Sequence, residues 1–230
     1  MATVVVVRHG RTTANATGVL AGRTPGVLLD EVGRQQAAAT GARLAVVPFA
    51  RVVTSPLERC RETTEAIVAQ QSADASFEVL VDDAVTECDY GDWQGRPLSE
   101  LAGEDLWQTV QRQPSAVTFP GGETMSGMQH RAVSAIRAHD AAVEREHGPG
   151  AVWLAVSHGD VVKSVLADAL GVHLDLFQRI SVGPASVSIL RYGAHRAEVL
   201  ATNTDGGDLS WLRGSAPSAD AAVGGGAGTV

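Results

Sequence analysis

Cysteine is scarce in this chain of 230 residues: there are two, Cys60 and Cys88. Their number and spacing supply neither a disulfide framework nor a zinc site, so free thiols in a reducing compartment are the expectation. Long apolar runs are missing as well. Hydrophobic residues make up 44% of the chain, enough for a sizeable core, yet no run approaches the ~20 residues that a membrane helix needs. The valine run near the N-terminus is too short for a secretory core and has no basic residue before it. Nor is there an excess of positive charge. The formal net charge is −8, whereas a general nucleic-acid binder carries a basic face. These absences predict a cytoplasmic protein with no membrane and no nucleic-acid partner. They leave its oligomeric state open, a homo-oligomer included.

Several phosphate-handling patterns are also missing. No Gly-x-x-x-x-Gly-Lys loop is present for a nucleotide triphosphatase. The glycines at 224–228 follow no strand and open no helix, so they are not a dinucleotide fingerprint. Neither cysteine has an arginine six positions later, as a cysteine phosphatase loop requires: Cys60 meets Ala66 and Cys88 meets Gln94. No His-Glu-x-x-His or similar cluster points to a metal site. No internal repeat is present.

What is present begins with Val4, Val5, Val6 and Val7, followed by Arg8, His9 and Gly10. A run of β-branched residues suits a strand buried on both faces. The carboxyl end of such a strand is where open α/β sheets bind ligands. Gly10 lets a ligand approach the backbone closely, and Thr12, Thr13 and Asn15 follow with hydrogen-bonding groups. An arginine beside a histidine there can bind an anion and attack it. Alone, one Arg-His-Gly is weak, because a lone histidine is more often structural.

The rest of the chain alternates strands and helices. After a glycine-rich loop at 18–26 that contains Arg23, Asp30 caps a helix that Pro48 ends. Residues 51–54 form a strand. Ser55 and Pro56 read as the N-cap and first position of a helix to about Gln71, with Arg59 in its first turn. Residues 77–81 form a third strand, leading to an acidic, aromatic loop with Glu87, Tyr90 and Trp93. A helix follows at 98–111, then a linker at 114–122. A long helix spans 124–147, with Met128, Val133, Ile136 and Val143 as its buried positions. Residues 151–156 form another buried strand, ending in Ser157, His158, Gly159 and Asp160. Asp160 reads chiefly as a cap for the helix at 161–170, which Gly171 terminates. A strand pair at 185–190 and 197–201 closes the chain. This order predicts one α/β domain over 1–213: a three-layer α/β/α sandwich with a mostly parallel sheet and helices on both faces. The composition from 214 to 230 predicts a disordered tail.

Two strands therefore stop in histidine-glycine. If they are sheet neighbours, two imidazoles face each other across one edge, with Arg8 and Arg59 beside them. Such a set suits a phosphoryl group, since arginine matches its oxygens bidentately. The motifs Arg8-His9-Gly10 with Thr12 and Asn15, Ser55-Pro56-Leu57 with Arg59 and Thr63, Glu87 with Tyr90-Gly91, Trp93 and Gly95, and Ser157-His158-Gly159-Asp160 resemble those of the histidine phosphatase superfamily. These are the phosphoglycerate mutase-like proteins, and the likeness extends to an actinobacterial subgroup of phosphomutases and phosphatases.

The resemblance implies a phosphomonoester hydrolase acting on a small phosphorylated metabolite, with no metal or other cofactor. His9 is then the nucleophile that becomes phosphohistidine. Arg8, Arg59, His158 and Gly159 lie around the phosphoryl group, with Asn15 as a further donor. Glu87 is the proton donor to the leaving alkoxide and the base for water. That last role suits a carboxyl group beside an anionic pocket, whose pKa is pushed up. Asp82, Asp83, Asp89 and Asp92 compete for it. Arg11 and Arg23 are extra cations that could read a second anionic group on the substrate.

Two alternatives stand beside hydrolysis. A phosphomutase would pass the phosphoryl group to a second hydroxyl. Such mutases resemble this chain but carry a longer insertion with paired arginines. Here the segment from Trp93 to Gly122 is short, Arg96 and Arg112 are isolated, and Pro120-Gly121-Gly122-Glu123 looks like the phosphatase branch. A silent phosphate-binding protein is the other alternative. His130, His139, His147, His173 and His195 receive no role, and Trp93 reads as a packing residue.

Overall fold

The computed structural model describes residues 1–73, 75–193 and 195–206. The expected domain end at 213 and the tail at 214–230 lie outside the described residues. A six-stranded sheet runs through the middle of the molecule in the order β3-β2-β4-β1-β5-β6. Its strands are β1 (Thr3–Arg8), β2 (Phe49–Thr54), β3 (Glu78–Val81), β4 (Val152–Ser157), β5 (Val187–Tyr192) and β6 (Ala197–Thr204). The first four run parallel to one another, while β5 runs antiparallel to both β1 and β6.

The valine run explains the layering. Successive side chains of a strand point to opposite faces. Val4 and Val6 join a core with the helices α6 (Met125–His147) and α7 (Gly159–Leu170). Val5 and Val7 join another with α2 (Glu31–Leu44) and α3 (Glu58–Val68). Helices thus cover both faces, as a run without alternation requires. Three shorter helices complete the chain: α1 (Thr13–Thr17), α4 (Leu98–Leu101) and α5 (Asp105–Arg112).

Caps place several helices where the sequence predicts them. Asp30 caps α2 by accepting from the Gly33 amide, and Thr124 caps α6 by accepting from the Gly127 amide. Gly171 ends α7 in the left-handed conformation at φ 67°.

Three expectations change. The helix expected at 98–111 is broken at 102–104, and Gly103 lies in the break; glycine weakens a helix interior. Ser55 is not the cap of α3, which starts two residues later than predicted. Leu57 is the N-cap residue, in an extended conformation, and makes no side-chain cap bond. Instead the Ser55 amide continues the sheet ladder to the Val156 carbonyl, at 3.0 Å. Asp160 is not a cap either. It is fully buried in the first turn of α7, where its Oδ2 accepts from the Tyr90 hydroxyl at 2.8 Å.

Candidate active site

The site sits at the carboxyl ends of β1 and β4. The two strands pair in parallel with Arg8 opposite Ser157, so the next residue of each, His9 and His158, emerges at the same edge. Their rings lie 5.3 Å apart, edge to face at 63°. Both are buried. The His9 ring is oriented by its own backbone: Nδ1 and the Gly10 carbonyl are 2.7 Å apart. A carbonyl only accepts, so Nδ1 carries the proton and Nε2 keeps its lone pair. His158 Nε2 meets the Ser55 hydroxyl at 2.7 Å and the Cys60 sulfur at 3.4 Å.

Arg59 reaches the same point from the second residue of α3. Its Nε donates to His9 Nε2 at 3.3 Å and its Nη2 to the Gly22 carbonyl at 2.7 Å. Its Nη1 is buried with no hydrogen-bond partner among the described residues. A buried donor left unsatisfied is costly, and Arg59 lines the same pocket as His9. Arg8, one residue before His9, is buried and donates from Nη1 to the Val182 carbonyl at 2.8 Å. Burial pulls its guanidinium down to about 10, which leaves it a cation at neutral pH. Burial first, then the charges of Arg59 and Arg8, hold the His9 imidazole well below its usual range. Burial and Arg59 do the same to His158. Both rings are therefore neutral, and a neutral imidazole can act as a nucleophile.

Glu87 lines the same pocket as His9 and Arg59. Its carboxyl is buried, and Oε1 accepts from the Cys88 amide at 3.0 Å. Burial, and next the nearby Asp160 carboxylate, push its pKa up to about 7 against the opposing pull of Arg59. Such a group can give and take a proton near neutrality. The competing acids are engaged elsewhere: Asp82 with His139 at 2.8 Å, and Asp89 with the Gly91 amide at 3.0 Å. Asp83 opens a short 3₁₀ turn and Asp92 lies in another.

The structure thus brings His9, His158, Arg59 and Glu87 together, with Arg8 directly behind His9. Asn15 lines the pocket, and its Oδ1 accepts from the Thr12 amide and hydroxyl in the capping box of α1. Gly159 is the buried first residue of α7, whose N-terminus faces the same edge. Arg11 pairs through Nε with Asp30 Oδ2 at 2.7 Å. Arg23 donates to the Glu87 carbonyl and to Glu123. Sequence reasoning missed Arg131, Glu123 and the bond from Ser55 to His158. No spacing announces them, because each acts through a main-chain carbonyl or a distant side chain.

Among the described residues, no cluster of three or more histidines, cysteines or carboxylates could hold a metal ion. No described helix is long and apolar enough to cross a membrane.

An α/β sheet with two histidines and an arginine gathered at one strand edge defines a narrow class of protein. The chain belongs to the histidine phosphatase superfamily (branch 1), whose family profile matches residues 4–205. It is 36% identical over 129 residues to the fructose-2,6-bisphosphatase TIGAR of Xenopus tropicalis, covering 56% of this chain and 46% of that protein. It is 33% identical over 201 residues to the bifunctional protein Rv2228c of Mycobacterium tuberculosis, covering 84% of this chain and 51% of that one. The chain thus spans about half the length of these curated relatives. Its fold matches the solved structure of Bacillus stearothermophilus YhfR at a TM-score of 0.76 and 27% identity, covering 87% of this chain and 96% of the other.

Proposed function

We propose that this chain is a phosphomonoester hydrolase that works through a phosphohistidine on His9 without a metal ion. The observation that carries the reading is the buried, unpartnered Nη1 of Arg59, in the same guanidinium whose Nε meets the lone pair of His9 Nε2 at 3.3 Å. An arginine fork and an imidazole lone pair aimed at one space are complementary to a phosphoryl group under attack.

In the first step the Nε2 lone pair attacks phosphorus and the bond from phosphorus to the ester oxygen breaks. Glu87 gives its proton to the departing alkoxide. The Nδ1–H bond to the Gly10 carbonyl stabilises the charge that His9 acquires. In the second step water attacks phosphorus, Glu87 takes the water proton, and the electron pair of the N–P bond returns to Nε2. Arg59 and Arg8 supply the positive surroundings that a metal supplies in other phosphoryl-transfer sites. A raised carboxyl pKa has no use in a protein that only holds phosphate, which favours catalysis over silent binding. The short segment between Trp93 and Gly122 favours water over a second substrate as acceptor. Arg96 within it is paired with Glu104 at 2.7 Å.

The substrate we propose is a small phosphorylated metabolite, and the cytoplasm, where such metabolites are held, is the compartment this implies. Val19, Leu20, Ala21 and Leu98 line the pocket beyond His9. Arg11 and Arg23 are committed to carboxylates. This wall supports an alcohol portion without a second anionic group. Arg11→Ala is therefore expected to change KM for a bisphosphate and for an aryl monophosphate by the same factor.

The test is a ³²P-labelled substrate quenched in alkaline detergent, which preserves phosphohistidine, with assays in EDTA. Wild type should carry label and release phosphate, and His9→Ala should do neither, losing at least ~10³-fold in kcat. Label that leaves only when an added monophosphate accepts it would establish a mutase. No label at all would leave a binding protein.

A further inference from the structure

Two guanidiniums converge on the peptide that carries Glu87. Arg131, on α6, donates from Nη2 to the Glu87 carbonyl at 3.0 Å. Its Nη1 donates to the carbonyls of Thr86 at 2.8 Å and Ala84 at 2.9 Å. Arg23, in the loop that also forms the pocket wall, donates from Nε to the same Glu87 carbonyl at 2.9 Å.

Glu123 joins the two. Its Oε1 accepts from Arg131 Nη2 at 2.6 Å, from Arg23 Nη2 at 2.9 Å and from the Asp89 amide at 2.8 Å. Its Oε2 accepts from Arg131 Nε at 3.0 Å. The backbone closes the assembly. The Glu123 amide donates to the Asp89 carbonyl at 2.9 Å, and the Asp92 amide to the Pro120 carbonyl at 2.8 Å. The two loops lie so close that a Cβ on Gly122 would overlap the Asp89 carbonyl, and one on Gly91 the Pro120 carbonyl.

These bonds are charge-assisted, hence short and directional. They end on the main chain of the residue whose carboxyl exchanges the proton, and none of them occupies that carboxyl itself. A proton donor misplaced by about 1 Å loses most of its effect. We infer that Arg131, Glu123 and Arg23 are positioning residues for Glu87, which makes Arg23 a support of the acid rather than a reader of substrate. The inference rests on the phosphohistidine reading above. Arg23 also follows Gly22, whose carbonyl holds Arg59, so one short loop fixes the acid and the phosphate cradle relative to each other.

The experiment uses leaving-group dependence, which a merely structural role does not move. An alkyl phosphate needs a proton on its leaving oxygen; p-nitrophenyl phosphate needs almost none. Glu87→Gln sets the benchmark and should lose ~10²-fold or more in kcat on the alkyl ester, with a far smaller loss on the aryl ester. Glu123→Gln and Arg131→Lys should show the same bias at ~10-fold or more, with phosphohistidine still formed from the aryl ester. Arg23→Gln, at a partly exposed position, should repeat it in a variant whose folding is least at risk. Circular dichroism and Tm confirm that each variant is folded.

Equal losses on both esters in folded variants, or no loss, would overturn the inference while the benchmark stands. If Arg131→Lys or Glu123→Gln fails to fold, Arg23→Gln alone decides. If Glu87→Gln shows no bias although His9 is labelled, the assignment of the acid falls, and the positioning role with it.

Discussion

At the scale of single residues, the protonation states make a prediction. In the proposed mechanism Glu87 must be protonated to help the alkoxide leave, and burial pushes its pKa up to about 7. The groups that set it are burial, Asp160 from α7, Arg59 from α3, Arg8 from β1 and the Cys88 amide. kcat/KM for an alkyl phosphate should therefore fall about tenfold per pH unit above ~7 as the proton is lost. His9 must be neutral, and its pKa lies well below the usual range, so activity should persist into mildly acidic solution. Asp160→Asn removes the charge that raises Glu87 and should move the descending limb to lower pH; a limb that stays in place contradicts this. Arg8, His9, Arg59 and His158 were legible in the sequence because each follows a strand end or opens a helix in a recognisable motif. The roles of Arg131 and Glu123 were not, since bonds to main-chain carbonyls and between side chains far apart in the chain leave no trace in residue spacing. Ser55 looked like a cap because serine before proline usually is one; only the neighbouring strand shows that its hydroxyl is taken by His158.

At the scale of elements, the loop after His9 depends on the start of α2. A Cβ on Gly33 would overlap the Arg11 carbonyl and lie 2.7 Å from the Arg11 amide. Gly33→Ala should therefore cost about 1–3 kcal/mol from overpacking. Thermal melts should show it as a loss of roughly 2–4 °C in Tm per kcal/mol. Activity should fall too, because Arg11 adjoins the Gly10 carbonyl that orients His9. A variant as stable and as active as wild type would refute the close packing. Helices with side-chain caps, α2 and α6, were legible at their starts, and α7 at its glycine end. The start of α3 was not, because Leu57 is extended and no side chain caps the helix. The break between α4 and α5 escaped because apolar spacing continues across it.

At the scale of the whole molecule, β1 and β4 are interior strands, and β3 and β6 are the edges. Hydrogen exchange should find the amides of β1 and β4 opening only with global unfolding, and those of β3 far sooner. Comparable rates would mean that the sheet does not order stability in this way. The layered class was readable from alternating strands and helices. The strand order was not, because pairing between segments distant in sequence is decided by packing. That order has a consequence for synthesis. β4 slots between β1 and β2, so a ribosome-bound polypeptide that has not yet released it has a missing plank in the centre of its sheet, not at a border. The two imidazoles cannot meet until the plank is laid. On the proposed mechanism, a nascent or prematurely stopped chain is thus held inert by its own topology, and activity arrives together with the closing of the core.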